Sequence, residues 1–435
     1  MMLNFSVTNF SSIKDKITLS FEANKSEKLE KYYVVRPDGK TRVLKLAIIY
    51  GPNASGKTNI LRALNFLKSC VVSPFPDKTK NFDFQPFLFD ENSKEKNTIF
   101  EIEFFANKIK YSYFLELNKN AIISEKLYYY YPKKALIFER NTDTKKQIAN
   151  IKFGSKIKIS KEKLDALKAN TLWNNTVLGG YLKTNIEQKE LKDVVSWFRD
   201  KLMWTVFPNN LWNERLIAQS IKDQLKIKAF IINLLKKADL NIKDISFKNK
   251  KVKADISSLL NTIFGVKTDN SENGIGNGAP PHEYEVVEEV HLHHLIGEKE
   301  YSLPFEYESA GTKRYFELGY FLSFLIFLNT TLPVDELESS LHPDLIKHFL
   351  LTFLVNSQES QLIITTHHRE LLMEKDIFRN DVIWFTEKKE DSSTDLFSLA
   401  DFDTSVIRNT SSIYNAYKVG KLGAVPNLSD YFINF

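Results

Sequence analysis

The sequence predicts an α/β fold with an antiparallel β flank and an inserted helical region, and three observations carry the prediction. Residues 44–50 (LKLAIIY) form a short apolar run of central-strand type, followed by a Gly-rich loop and then by residues 58–69, where Leu61, Leu64 and Leu67 share a helical face. Residues 99–105, 111–117, 122–131 and 135–140 are rich in aromatic and β-branched side chains and are separated by turns containing Asn, Lys or Pro, the composition of an antiparallel flank. From about residue 160 to 260 the pattern changes to Lys- and Leu-rich helical periodicity, after which strand and helix segments resume.

In chain order, residues 3–10 and 17–21 alternate apolar and polar side chains and predict an opening strand hairpin. The loop Gly51-Pro52-Asn53-Ala54-Ser55-Gly56-Lys57-Thr58 fits G-x-x-x-x-G-K-[ST], and strand, loop and helix follow in the order a phosphate loop requires. Its glycines let successive backbone N–H groups turn inward around a β-phosphate, and the helix N-terminus adds partial positive charge. Asn53, Ala54, Ser55, Gly56 and Asn59 are therefore expected to line a nucleotide, with Lys57 reaching the β/γ oxygens and Thr58 ligating Mg²⁺. The tyrosine run at 128–131 is expected to pack a sheet. Helical periodicity at 189–202 and 217–238 is broken by the Trp-rich segment 204–212, and it is too interrupted for a long coiled coil. Residues 269–281 have loop composition, strands resume at 284–293 and 301–307, and the core returns through 310–328, 332–335, 341–356, 361–366 and 382–386. The organisation expected is an N-terminal lobe (1–155), a helical insertion (156–265) and a C-terminal lobe (266–435).

Composition sets outer bounds. The chain has 435 residues, enough for two or three domains, and its 43% hydrophobic and 26% charged residues are those of an ordinary folded protein. A formal net charge of +6 permits a nucleic-acid partner without arguing for one. A single cysteine, Cys70, rules out a disulfide within the chain and any Cys-rich metal module, so a reducing cytoplasm is the expected setting. The first residues lack the pattern of a secretory signal, and the longest apolar stretch, 320–328, is too short to cross a bilayer.

A phosphate loop alone implies only nucleotide binding; hydrolysis needs further groups. Leu332-Pro333-Val334-Asp335-Glu336 reads as a strand ending in Asp-Glu, where Asp335 would hold the Mg²⁺ shell and Glu336 would polarise the attacking water. Pro333 departs from that reading, because it removes a ladder donor from an expected central strand. A second buried strand, 361–366, ends at His367, which can contact a γ-phosphate and the attacking water; the neighbouring His368 leaves open which ring points inward. Ser309-Ala310-Gly311-Thr312-Lys313 opens a helix with a small loop suited to an anion.

Together GPNASGKTN (51–59), ESAGTKR (308–314), VDELESSLHP (334–343), TTHH (365–368) and the tail YNAYKVGKLGAVP (414–426) resemble the ABC-type, SMC/RecF-related ATPases of bacterial anti-phage and abortive-infection systems. That is the AAA-15/AAA-21 group, with the OLD-family ATPase domain and the AbiL/RloA-like ATPases. The resemblance implies an ABC-type P-loop ATPase head, with Ser309 and Gly311 as signature contacts made across a head-to-tail dimer. It also implies that 341–343 form the region between two sites and that Gln85 completes the Mg²⁺ shell. Its expected cofactors are ATP and Mg²⁺. Its expected partners are a second copy, or a higher oligomer, through ATP-sandwiched heads and a separately encoded toxin or nuclease. The alternative it leaves open is a RecF/SMC-like DNA-repair ATPase binding DNA through the basic insertion.

Weaker signals remain. Lys226, Lys228, Lys236, Lys237, Lys243, Lys248, Lys250, Lys251 and Lys253 read either as a basic groove or as a solvated face, the second being the commoner origin of lysine runs. His291 and His293 fall on one strand face at a spacing compatible with a metal pair, but no third ligand is evident. Glu387, Glu390, Asp391 and Asp395 read as a solvated turn.

Overall fold

The computed structural model of the chain describes residues 1–208, 217, 220–253, 284–374, 376–402 and 413–425. Two compact units divide it: Met1–Pro208 with Phe324–Glu338 and Phe349–Phe435, and Asn209–Ser323 with Ser339–His348.

The first unit is built on two sheets. Its N-terminal strands are β1 (Met2–Thr8), β2 (Ile17–Ser20), the short pair β3 (Val34–Val35) and β4 (Val43–Leu44), and β5 (Leu46–Tyr50). After the helix Lys57–Val72 comes a meander: β6 (Thr98–Ala106), β7 (Ile109–Leu117), β8 (Ile122–Tyr130), β9 (Lys134–Asp143) and β10 (Ile148–Phe153). It joins the opening hairpin in a seven-stranded antiparallel sheet, ordered β10-β9-β8-β7-β6-β1-β2. One face of that sheet is apolar, as the alternating burial of β6 and β7 requires. Glu125 and Arg140 stand opposite each other on β8 and β9, fully buried. Arg140 donates to the carbonyls of Trp173 and Asn175, while Glu125 accepts from Tyr113 Oη and the Val177 N–H. This network ties the sheet to the segment leading into the helix Val177–Leu182. The tyrosine run lies on β8, where Tyr128 and Tyr130 carry the ammonium groups of Lys134 and Lys110 over their rings.

The helices Lys161–Asn170, Val177–Leu182 and Lys189–Ser196 belong to this first unit, the last continuing into a π-helical turn, Trp197–Lys201. Trp197 stacks on Phe104 at 4.1 Å, and Trp204 lies 4.7 Å from Lys68 Nζ, so both pack the unit; Trp212 lies outside the described residues, as do 269–281.

The second sheet of the unit contains β14 (Thr331–Val334), β15 (Gln361–Thr366), β16 (Ile383–Lys388) and β17 (Thr394–Ser398), ordered β14-β15-β5-β16-β17. Its first four members are parallel, and β5, β14 and β15 are buried along their whole length, as strands covered on both faces must be. Pro333 is accommodated because β14 is the edge. Its carbonyl accepts from Val206 N–H on the outer side, where only isolated bridges form, so its missing N–H interrupts no ladder.

The second unit holds the helix Leu225–Lys237 and an antiparallel sheet of β11 (Ile242–Lys253), β12 (Tyr284–Ile296) and β13 (Lys299–Pro304). The strand β11 corrects the helical reading of residues 242–253. Ile245 and Phe247 pair across Leu292 and Val290 to form its apolar face, and the lysines that follow, from Lys248 to Lys253, obscure the alternation in the sequence. Among the described residues no helix is long and apolar enough to cross a membrane.

Candidate nucleotide site

Three parallel strands, β5, β14 and β15, end at one edge of the five-stranded sheet, and the loops leaving them carry the polar groups of the site. In sheets of this kind ligands bind outside the carboxyl ends of the strands. From β5 the chain turns through Gly51–Gly56 into the helix Lys57–Val72, with Ala54 and Gly56 in left-handed conformation (φ 62° and 100°). Two glycines are needed for a further reason. A Cβ on Gly51 would lie 2.2 Å from Thr386 Oγ1, and one on Gly56 would lie 2.0 Å from Thr394 Oγ1, so the hairpin β16–β17 presses directly against the loop.

That hairpin also fixes the loop through hydroxyls. Ser55 Oγ bonds Thr386 Oγ1 at 2.6 Å, Asn59 donates to Ser12 Oγ at 2.8 Å, and Ser12 Oγ bonds Thr394 Oγ1 at 2.7 Å. The side chains of Ser55 and Asn59 thus hold the loop, while Asn53 and Ala54 are exposed at its tip. Gly56 caps the helix without a side-chain acceptor, and with the Asn59 N–H bonded to the Gly56 carbonyl at 3.0 Å this leaves the N–H groups of Lys57 and Thr58 for an anion. The acidic turn 387–395 is more than a solvated loop: Asp391 bonds Ser393 and Lys14, which hold its carboxyl down to about 2, and Asp395 stands opposite Glu387 within β16–β17.

Lys57 is buried, and its Nζ donates to the carbonyls of Gly51 (2.9 Å) and Pro52 (3.0 Å). Burial pushes its pKa down to about 8, against the opposing charges of Asp335, Glu338 and Glu336. Thr58 Oγ1 donates to Asp335 Oδ2 at 2.9 Å, and Thr365 Oγ1 donates to Asp335 Oδ1 at 2.6 Å. The Glu336 N–H bonds Thr365 Oγ1 at 2.8 Å and the Leu337 N–H bonds the Thr365 carbonyl at 3.1 Å, so the ends of β14 and β15 are stitched together. Glu336 takes a left-handed conformation (φ 46°), a strained choice for a residue with a Cβ, and its carboxylate is partly exposed. His367 Nε2 stands 4.0 Å from Glu336 Oε1. Burial and the nearby Lys57 charge lower the His367 pKa, which favours the neutral ring at pH 7. His368 turns instead to Glu370, at 3.1 Å.

The structure therefore brings Lys57, Thr58, Asp335, Glu336 and His367 together. Gln85 is exposed; its Oε1 accepts from Lys119 Nζ at 2.9 Å and its carbonyl accepts the Ser11 N–H at 2.7 Å. Thr365, Glu338, Ser12, Thr386 and Thr394 were not singled out in the sequence. Two of them had a local signal there: Glu338 as the second glutamate of Asp335-Glu336-Leu337-Glu338, and Thr365 as the first residue of TTHH.

In the second unit Ser309 caps the helix Ala310–Phe327, its Oγ accepting from the Thr312 N–H at 3.0 Å. A Cβ on Gly311 would lie 3.0 Å from the Ser340 carbonyl, so a small residue is favoured there. Lys222, Lys228, Lys243 and Lys250 pair with Glu288, Asp244, Glu300 and with Glu289 and Glu306, respectively, and Lys248 bonds Ser302. Three lysines of the run, Lys228, Lys243 and Lys250, are thus held by carboxylates. His291, His293 and His294 bond Glu289, Glu300 and Glu308, and no group of three or more metal-binding side chains occurs among the described residues.

The fit of Mg²⁺ rests on the donor set. Thr58 Oγ1 and the Asp335 carboxylate are hard oxygen donors in contact, which suits a cation that takes the rest of its shell from water and phosphate. The fit of a triphosphate rests on the helix start, which has no side-chain cap.

Among curated proteins nothing matches. Solved structures similar to the chain include the SmcHead bound to the C-winged helix domain of ScpA, at 12% identity over 91% of this chain and 97% of that one (TM-score 0.43). Others are the SMC head domain from Thermotoga maritima, at 11% identity over 91% and 98% (TM-score 0.39), and a Pyrococcus furiosus Smc head with an extended coiled coil bound to the C-terminal domain of ScpA, at 11% over 97% and 98% (TM-score 0.37). A family profile described as "AAA domain, putative AbiEii toxin, Type IV TA system" covers residues 46–374, from β5 to just beyond His367, and the chain belongs to that family, AAA_21.

Proposed function

We propose that the protein is an ABC-type ATPase that binds and slowly hydrolyses ATP and acts as a nucleotide-driven switch in cytoplasmic anti-phage defence, controlling a separately encoded effector. The observation that carries the reading is the buried chain Thr58–Asp335–Thr365 with Glu336 beside it, because it joins a cation-binding pair to an exposed carboxylate at the mouth of a phosphate loop. Family membership, with its toxin–antitoxin description, supports the defence setting. AbiL/RloA-like relatedness, suggested by the tail sequence, remains part of this proposal.

Roles follow from the chemistry of each side chain. Lys57 offers an ammonium to the β/γ oxygens, and Thr58 and Asp335 would hold Mg²⁺, which when bound neutralises phosphate charge. Glu336 takes the proton of the attacking water, and neutral His367 orients that water and reads the γ-phosphate. Ser309 and Gly311 present a capped helix start to the nucleotide held by a second copy, so that ATP joins two heads and hydrolysis releases them. A RecF/SMC-like DNA-repair role is the alternative reading; the pairing of Lys228, Lys243 and Lys250 with carboxylates draws those three away from it.

The test is phosphate release from ATP by the full chain together with phage plating on cells that carry the gene and its neighbours. Wild type should hydrolyse ATP and protect; Glu336→Gln should bind ATP, release no phosphate and fail to protect. A wild-type rate equal to that of Glu336→Gln would refute the ATPase reading, and protection that survives in both Lys57→Ala and Glu336→Gln would refute the switch.

A further inference from the structure

Glu338 lies three residues beyond Asp335, and the two oxygens of its carboxylate have different surroundings. Oε1 accepts the backbone N–H of His367 at 2.5 Å; Oε2 is buried and has no hydrogen-bond partner. An unpaired buried carboxylate oxygen is costly, so a fold that keeps one needs a compensating use for the group. Its charge acts on Lys57 and on His367, and it also reaches Tyr50, whose Oη is likewise buried without a partner at the end of β5.

The acceptor matters because of where the strand pairing stops. β15 pairs with β5 only as far as Thr366 opposite Tyr50, and the next N–H, that of His367, has left the ladder. Beyond it the His368 N–H turns back onto Thr366 Oγ1 at 3.0 Å. Glu338 therefore supplies the acceptor that fixes the backbone at His367, the point from which the ring projects to within 4.0 Å of Glu336.

We propose that Glu338 is a positioning residue for hydrolysis: by accepting the His367 N–H it holds the switch histidine against Glu336. The proposal rests on the reading of this pocket as an ATPase site. It assigns to Glu338 no contact with nucleotide, so the effect belongs in turnover rather than in affinity.

The experiment compares steady-state ATP hydrolysis by the full chain carrying Glu338→Ala, Glu338→Gln or Glu338→Met, with urea midpoints as a check on folding. Removing the acceptor should lower kcat at least about tenfold, since small misplacements of catalytic groups have effects of that order, and should leave KM for ATP within about threefold. Glu338→Gln, whose amide oxygen can still accept the His367 N–H, should recover most of the rate. Glu338→Met, which keeps side-chain length without an acceptor, should behave like Glu338→Ala and serves in its place if the alanine variant does not fold. Equal losses in the Gln and Met variants would show that charge, not the backbone bond, is what matters, and would overturn the proposal. A rise in KM at unchanged kcat, or wild-type rates in Ala and Met, would overturn it as well. If the wild type itself releases no phosphate, the ATPase reading fails instead, which separates the two failures.

Discussion

In the first unit several charged groups are withdrawn from water: Lys57 and Asp335 are about 5% exposed or less, and Glu125 and Arg140 are fully buried. In the second unit the sheet β11-β12-β13 carries many charges on an open face, among them the pairs Lys243–Glu300 and Lys250–Glu289. Similar ion pairs thus occur in two dielectric settings. In water their attraction is screened and contributes little, whereas in the interior each group depends on its partners, because desolvation is repaid only by hydrogen bonds and opposite charge. The contrast implies that losing one partner costs far more in the buried network of the first unit than on the open face of β11-β12-β13.

Three substitutions break or sharpen that contrast. The largest effect should come from Glu125→Leu, which strands the Arg140 guanidinium and leaves Tyr113 Oη and the Val177 N–H without their acceptor. Removing one member of such a buried pair costs about 3–5 kcal/mol, measurable as a lowered urea midpoint. Next, Lys57→Ala should weaken ATP binding about 10- to 100-fold, the worth of a charged hydrogen bond to phosphate, as measured by calorimetry. The wild type should show a matching pH dependence. Lys57 loses its proton as pH rises through about 8, and phosphate favours the ammonium, so affinity should be level below pH 8 and fall by up to about tenfold per unit above it. The same lowered value means that the unfolded chain takes up a proton there between about 8 and 10.5, so this group's contribution to stability rises with pH across that window. The smallest effect should come from Lys243→Ala, whose exposed pair is screened: the urea midpoint should not move measurably, and a shift as large as that of Glu125→Leu would break the comparison.

What was legible in the sequence follows the same division. The loop Gly51–Thr58 and the pair Asp335-Glu336 are contiguous, and each has a local physical reason for its residue types, so their placement at neighbouring strand ends could be anticipated. The hydroxyls that hold them could not. Ser12 meets Thr394 across 382 residues, and Ser55 meets Thr386 across 331, through a hairpin that the Lys- and Ser-rich turn 387–395 disguised. The bond from Lys119 to Gln85 was illegible for a related reason: the position of Gln85 in the chain says nothing of the side chain that engages it. β11 was hidden because it is rich in lysine, which suits a solvated helix equally well until the carboxylates of β12 and β13 are placed opposite.

The central claim is that the nucleotide joins two copies of this chain through Lys57 of one and Ser309 of the other. Its most direct test is the solution mass of Glu336→Gln by light scattering in Mg·ATP, in Mg·ADP and without nucleotide. The account predicts a mass that doubles in Mg·ATP alone and that stays at its nucleotide-free value when Lys57→Ala or Ser309→Arg is added. A mass that is the same in all three conditions, or that doubles in Mg·ATP despite the loss of Lys57, would contradict it.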